Sequence, residues 1–173
     1  MKSYVASPFF TESQVEVVKN ITNQLEVFSE VYSPFRDGTK VTSVMSNKVM
    51  KNVYLGDMGA IIDSNVIFGV LDYDDLNINY DENEIKKDRV FHGFDSGTIW
   101  EIGLSKGLGK RILMYIPPHT KLNLMLTMNA DGYTTDINKC GELFEDIIIK
   151  NNKFIKEKYV KMEKSEDKGK VYL

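Results

Sequence analysis

Apolar runs that alternate with helix-periodic segments predict an α/β fold: a flavodoxin-like, doubly wound parallel sheet flanked by helices. Three observations carry that expectation. Val66-Ile67-Phe68-Gly69-Val70-Leu71 is apolar throughout, which suits a strand covered on both faces rather than one wetted at alternate residues. Arg111 to Ile116 has the same character and is closed by Pro117-Pro118. The segments between such runs are long enough for the helical crossovers that parallel strands require.

In chain order, residues 2–6 (KSYVA) read as a short strand ended by Ser7-Pro8. Thr11 caps a helix expected over 12–28, where Val15, Val18, Ile21, Leu25 and Phe28 recur at three- and four-residue steps. Val31 to Ser33 is a candidate second strand, stopped by Pro34 and the Arg36-Asp37-Gly38 turn. A helical stretch is expected over roughly 45–60, ahead of the apolar strand. A further helix opens at Gly97 and stops at Lys106-Gly107-Leu108-Gly109. A last amphipathic helix is expected from about 140 to 157. One domain then spans 1–160, followed by a charged tail over 161–173.

A chain of 173 residues with 42% hydrophobic and 27% charged residues fits one globular domain with a real core. A net charge of -3 argues against nucleic acid as partner, since phosphate backbones demand a basic surface. Cys140 is the single cysteine and cannot form an internal disulfide. His92 and His119 are isolated, and no Cys/His cluster has metal-ligand spacing, so no metal site is expected. The opening MKSYVASPFF lacks the apolar run of a signal peptide, and no stretch has the length of a membrane span. A cytoplasmic protein is the expectation.

In sheets of this kind ligands bind beyond the carboxyl ends of the strands. Three loops belong there: Ser7–Thr11, Leu71–Gly97 and Ile116–Met128. The middle one is long and acidic, and reads equally as a lid or as a solvated insertion. Gly107-Leu108-Gly109-Lys110 looks like part of a phosphate loop, but it follows a helix and precedes a strand. A phosphate loop needs the reverse order, so this segment reads as a helix stop.

The densest chemistry lies in Phe94-Asp95-Ser96-Gly97-Thr98-Ile99-Trp100-Glu101-Ile102-Gly103, where two carboxylates stand six residues apart across a helix start. Glu101 in the first turns would feel the positive end of the helix dipole, which favours the ionised form of a nucleophile or base. Thr98 and Glu101 also have the spacing of a capping box. Asp57 reads by itself as a turn or cap residue, and Tyr4 as a core aromatic. Asn123 and Met125, in Leu122-Asn123-Leu124-Met125, read as a helix start. All of them fall at or near one edge of the sheet.

YVASPFFTESQ at the start, GDM before the central strand, DSGTIWEIG, and LNLM after the next strand together resemble the nucleoside 2-deoxyribosyltransferases. The resemblance runs from Tyr4 to about Met125, with a weaker echo at the C-terminus. It implies that Glu101 attacks the anomeric carbon of a 2'-deoxynucleoside and forms a covalent deoxyribosyl intermediate, and that a second base then takes the sugar with retention. Tyr4 would orient Glu101, and Asp57 would serve the leaving base. Asp95, beside Gly97, would hold the substrate through sugar hydroxyls or the base edge. Met125 would pack beside the nucleophile. The family completes each site with a neighbouring subunit, so Asn123 and the terminal carboxylate of Leu173 would come from a partner copy in a dimer or hexamer. The substrates would be 2'-deoxynucleosides and nucleobases, with no cofactor and no membrane, in nucleotide salvage. Phe9, Phe10 and Phe35 offer aromatic faces to a purine or a pyrimidine alike.

Two other readings compete. One is an N-glycosidase that hydrolyses the same bond, either in free 2'-deoxynucleosides, with water replacing the acceptor base, or in their 5'-monophosphates, which needs a phosphate site. The aspartate at 95 and the first loop Ala6-Ser7-Pro8-Phe9-Phe10, which has no arginine, disfavour the 5'-monophosphates; Ser7, Ser96 and Arg36 keep them open. The other is a non-catalytic nucleoside-binding module on the same fold.

Overall fold

The computed structural model describes residues 1–39, 45–72, 94–118, 120 and 124–160. The expected His119, Asn123 and Leu173, most of the acidic loop and the tail from 161 lie outside the described residues. Five parallel strands form one sheet: β1 (Lys2–Ala6), β2 (Glu30–Tyr32), β3 (Val66–Val70), β4 (Arg111–Tyr115) and β5 (Gly132–Thr134). Their order, β2-β1-β3-β4-β5, is the flavodoxin-like order, with its switch point between β1 and β3.

The two-residue period of the strands sorts the interior into two cores. Val5, Val31, Phe68 and Leu113 face one side, where α1 (Glu12–Glu26) lays Val18, Ile21 and Leu25 against them, beside Leu143 and Phe144 of α6 (Cys140–Phe144). Tyr4, Ala6, Ile67, Ile112 and Met114 face the other side. There they meet Ile61 of α3 (Asn47–Asp63), Ile102 of α4 (Ser96–Gly107) and Leu126 of α5 (Leu124–Asn129). Between α1 and α3 lies α2, the single turn Pro34–Asp37.

Local signals hold the ends. The Thr11 hydroxyl accepts from Gln14 N, and Gln14 Oε1 accepts in return from Thr11 N, a reciprocal capping box at α1. At the end of α4, Gly109 adopts φ 73°, Gly109 N donates to Lys106 O and Lys110 N to Ser105 O. The Gly107–Lys110 segment is therefore a helix stop of the left-handed kind. Lys110 Nζ also donates to the carbonyls of Ile62 and Ser64 at 2.6 and 2.5 Å, satisfying the end of α3.

The boundaries differ from the sequence reading in five places. The first helix stops at Glu26, not 28, although Phe28 still stacks on Phe144 at 6.0 Å. The third helix runs 47–63, and the second strand 30–32. The strand β5 was not foreseen; Asp131 just ahead of it accepts from Ile112 N at 2.7 Å and pairs with Arg111 at 3.0 Å, locking it onto β4. The final helix does not run to 157. It continues through one wide turn, Glu145–Ile149, and breaks at Asn151, whose φ of 52° no helix accommodates. The chain resumes in α7 (Lys156–Tyr159), where the Tyr159 hydroxyl donates back to Asp146 at 2.5 Å.

One close approach positions the site. Gly69, in the middle of the sheet, sits under α4, and a Cβ there would stand 2.5 Å from Ile102 Cδ1 and 3.1 Å from Cγ1. Its missing side chain lets α4 lie down on β3 and carries Glu101, the residue before Ile102, onto the face of β1.

Candidate active site

Tyr4 points from β1 into the core beneath α4 and is fully buried. Its hydroxyl donates to Glu101 Oε1 at 2.6 Å. Asp57 stands in the middle of α3 rather than in a turn, half-buried, and accepts from the Tyr32 hydroxyl at 3.4 Å. Asp57 and Glu101 share the wall of a cavity of about 490 Å3 between α3 and α4, together with Tyr54, Met58, Ser96, Gly97 and Trp100. The Tyr54 and Trp100 rings meet at 5.9 Å along that wall.

Asp95 is the N-cap of α4: its Oδ2 accepts from Thr98 N at 2.6 Å and from the Thr98 hydroxyl at 2.7 Å. The Thr98–Glu101 capping box therefore does not form, because Asp95 already satisfies the first turn. That leaves Glu101 free to turn toward the sheet. Ser96 and Gly97, directly after the cap, line the cavity.

The other expected residues stand apart from this cavity. Phe9 and Phe10 stack on one another at 5.7 Å, and Phe9 meets Phe35 at 6.0 Å, forming an aromatic cluster beyond the end of β1. Met125 lies on α5 and is 67% exposed. Tyr32, Tyr54 and Trp100 were not singled out by sequence reasoning. Their roles arise from strand register and helix packing, and the one available signal was that Trp100 immediately precedes Glu101.

The expectation that the helix dipole holds Glu101 ionised is overturned. Glu101 is the sixth residue of α4, past the first turn where the dipole acts. Burial dominates and lifts its pKa to about 7; the Tyr4 hydrogen bond pulls it down, while the nearby Asp57 and Asp95 push it up. Asp57 is also raised by burial and is lowered by the Tyr32 bond. Two carboxyl groups with raised proton affinity in one cavity can divide acid and base roles between them. Among the described residues no cluster of His, Cys, Asp and Glu has the arrangement to hold a metal ion, and no helix is long and apolar enough to cross a membrane.

A carboxyl group with a raised pKa destabilises the fold once it is ionised. An unfolded glutamate releases its proton near 4.5, and Glu101 in the fold near about 7. Its contribution is thus complete below pH 4.5 and lost as the pH rises through 7. Glu101→Gln escapes that loss. Urea denaturation should find the variant more stable than the parent by about 1–3 kcal/mol at pH 8, with the advantage gone at about pH 4; an equal difference at both pH values would contradict a buried, titrating carboxyl.

The sequence pattern of the family described as nucleoside 2-deoxyribosyltransferase matches residues 3–147. A search of curated protein sequences gives no match. Among solved structures, a 2-deoxyribosyltransferase from the psychrotolerant bacterium Bacillus psychrosaccharolyticus superposes with a TM-score of 0.61 at 28% identity, over 82% of this chain and 90% of that one. A conserved protein from Enterococcus faecalis V583 superposes with a TM-score of 0.58 at 14% identity, over 84% and 97% of the two chains. With the shared fold, and a family pattern that spans β1 through the turn after α6, the chain belongs to the nucleoside 2-deoxyribosyltransferase family.

Proposed function

We propose that this protein transfers 2-deoxyribose between nucleobases, with Glu101 as nucleophile and Asp57 as the acid and base at the departing and arriving base. The observation that carries the reading is the partly buried Glu101 carboxyl group, held at Oε1 by the Tyr4 hydroxyl and sharing a cavity with Asp57. In the first half-reaction Glu101 Oε2 bonds to the anomeric carbon as the C–N bond breaks. The electron pair leaves with the base nitrogen, which takes a proton from Asp57. In the second half an incoming base nitrogen attacks the same carbon, returns a proton to Asp57, and the ester bond to Glu101 breaks. Two inversions give net retention, and atoms balance with no cofactor. Tyr4 stays protonated throughout, because burial and the adjacent Glu101 charge drive its pKa far up, so it remains a donor.

The tuned pair also sets the pH response. Cleavage needs Glu101 ionised and a proton on Asp57 at once, so its rate should be bell-shaped in pH, falling at low pH where both groups are protonated and at high pH where both have lost their protons. Within this reading Asp95 acts as the cap that aims the start of α4, and Ser96 and Gly97 offer backbone to the sugar. Within the same reading Phe9, Phe10 and Met125 belong to the outer part of the substrate site, and Asn123 and the Leu173 carboxylate are contributions expected from a partner copy.

The 5'-monophosphate hydrolase reading loses its cationic residue. The Arg36 guanidinium is committed to Asp37 at 2.8 Å, to Glu26 and to the Val31 carbonyl at 2.6 Å. A phosphate would have to displace those partners.

The reading includes a homo-oligomer. Seventeen residues of α3 bury only Ile61 fully. Leu55 and Ile62 on α3, Trp100 on α4, and Met125 and Met128 on α5 leave apolar side chains exposed on the helices that cover one sheet face. Such a surface is suited to burial against a second copy.

Two experiments test this. Incubating the protein with deoxyinosine or thymidine, with and without adenine, should yield a new deoxynucleoside only when the acceptor is present, and Glu101→Ala should abolish it while remaining folded. Free base released at the same rate regardless of acceptor, or cleavage of 5'-monophosphates alone, would assign a hydrolase instead. Sedimentation at micromolar concentration should give a mass of two or more chains, and a monomer would contradict the shared interface.

A further inference from the structure

The two carboxyl groups are tied to the sheet by two tyrosines. Tyr4 and Tyr32 are register partners on the adjacent parallel strands β1 and β2, so their side chains leave the same sheet face. Their rings stack with centroids 5.7 Å apart and planes 11° from parallel. Each ring carries its hydroxyl to a different helix: Tyr4 to Glu101 on α4 at 2.6 Å, and Tyr32 to Asp57 on α3 at 3.4 Å. We propose that Tyr32 is a positioning residue for Asp57, fixing that carboxyl group at the cavity wall where it meets the departing base. The proposal rests on the roles assigned above to Glu101 and Asp57.

The physical argument is one of restraint. The helix α3 is held to the sheet chiefly through Ile61 and Ala60, one turn beyond Asp57, and its other faces are largely solvated. An aspartate on such a helix samples several rotamers unless something binds its head group. Among the described residues, the Tyr32 hydroxyl is the donor that does so. Tyr32 is in turn restrained by stacking on a Tyr4 that is wholly buried. The separation of nucleophile and acid thereby follows from a strand register, which is stiffer than either helix surface.

The hydroxyl and the ring have separable effects. The titratable groups facing Asp57 are Tyr32 from β2, Tyr4 from β1 and Glu101 from α4, while Asp37 from α2 acts on Tyr32. Burial raises the proton affinity of Asp57, and the Tyr32 bond opposes it by favouring the ionised form. Removing the hydroxyl while keeping the ring should raise that affinity further and loosen the carboxyl group.

The test is Tyr32→Phe, read in two ways. Titration of aspartate-labelled protein by carbon NMR, with the Asp57 signal assigned through Asp57→Asn, should find the Asp57 midpoint moved upward in Tyr32→Phe. Deoxynucleoside transfer should fall by about tenfold in kcat with KM changed less than about twofold, the Asp57 limb of the pH profile should move upward, and Tyr32→Phe should add no further loss in an Asp57→Asn background. An unmoved midpoint, or a loss that is equal at every pH and multiplies with that of Asp57→Asn, would overturn the positioning role. Failure of the underlying reading looks different: Glu101→Ala would then retain transfer, whatever the midpoint does.

Discussion

The hydrogen bond from the Tyr4 hydroxyl to Glu101 joins the first strand to the fourth helix across 97 residues of sequence, and most of the site's geometry is a consequence of making it. Glu101 can reach Tyr4 only if α4 lies close on the sheet, which the bare backbone of Gly69 allows. It can turn inward only because Asp95 takes over the capping of the first turn. Tyr4 can meet it only from the strand beside the switch point, where the sheet reverses its winding and two crossover helices part. Each of these is a backbone or packing constraint, and their shared product is a carboxyl group largely withdrawn from bulk water on the wall of the cavity.

That burial is a cost to the fold and an asset to the chemistry. A desolvated carboxylate is a stronger nucleophile toward an electron-poor anomeric carbon than a solvated one, and the Tyr4 bond restrains it without neutralising it. The same burial lifts Glu101 to about 7, so the group changes charge within the range where cells operate. A second carboxyl group with raised affinity, Asp57, faces the same cavity, and its charge adds to the rise at Glu101. The stacked tyrosine pair beneath them lets the sheet set their separation.

The sequence was legible wherever the signal was local or periodic. The buried runs of β3 and β4, the Thr11 cap and the glycine stop after α4 each depend on neighbours in the chain, and each formed where expected. The rest depended on contacts that no window contains. The three residues of β5 are a strand because Asp131 is clamped by Arg111 and Ile112, and the last helix ends early because Asn151 adopts a left-handed turn. The same division holds in the site. DSGTIWEIG marked Glu101 and Asp95 as a pair, yet a local rule, the helix dipole, gave the wrong sign for Glu101, because the residue lies past the first turn and tertiary burial sets its proton affinity. Tyr32 was invisible for the same reason, since its partnership with Tyr4 exists only once β1 and β2 pair in register.

The central claim is that Glu101 carries the sugar, and trapping that intermediate tests it most directly. The protein is mixed with a 2'-deoxynucleoside in the absence of acceptor base, quenched, and analysed by intact and peptide mass spectrometry. The account predicts one deoxyribosyl adduct per chain, on the peptide that contains Glu101, and none in Glu101→Ala. Base release without an adduct, or an adduct on another residue, would contradict it.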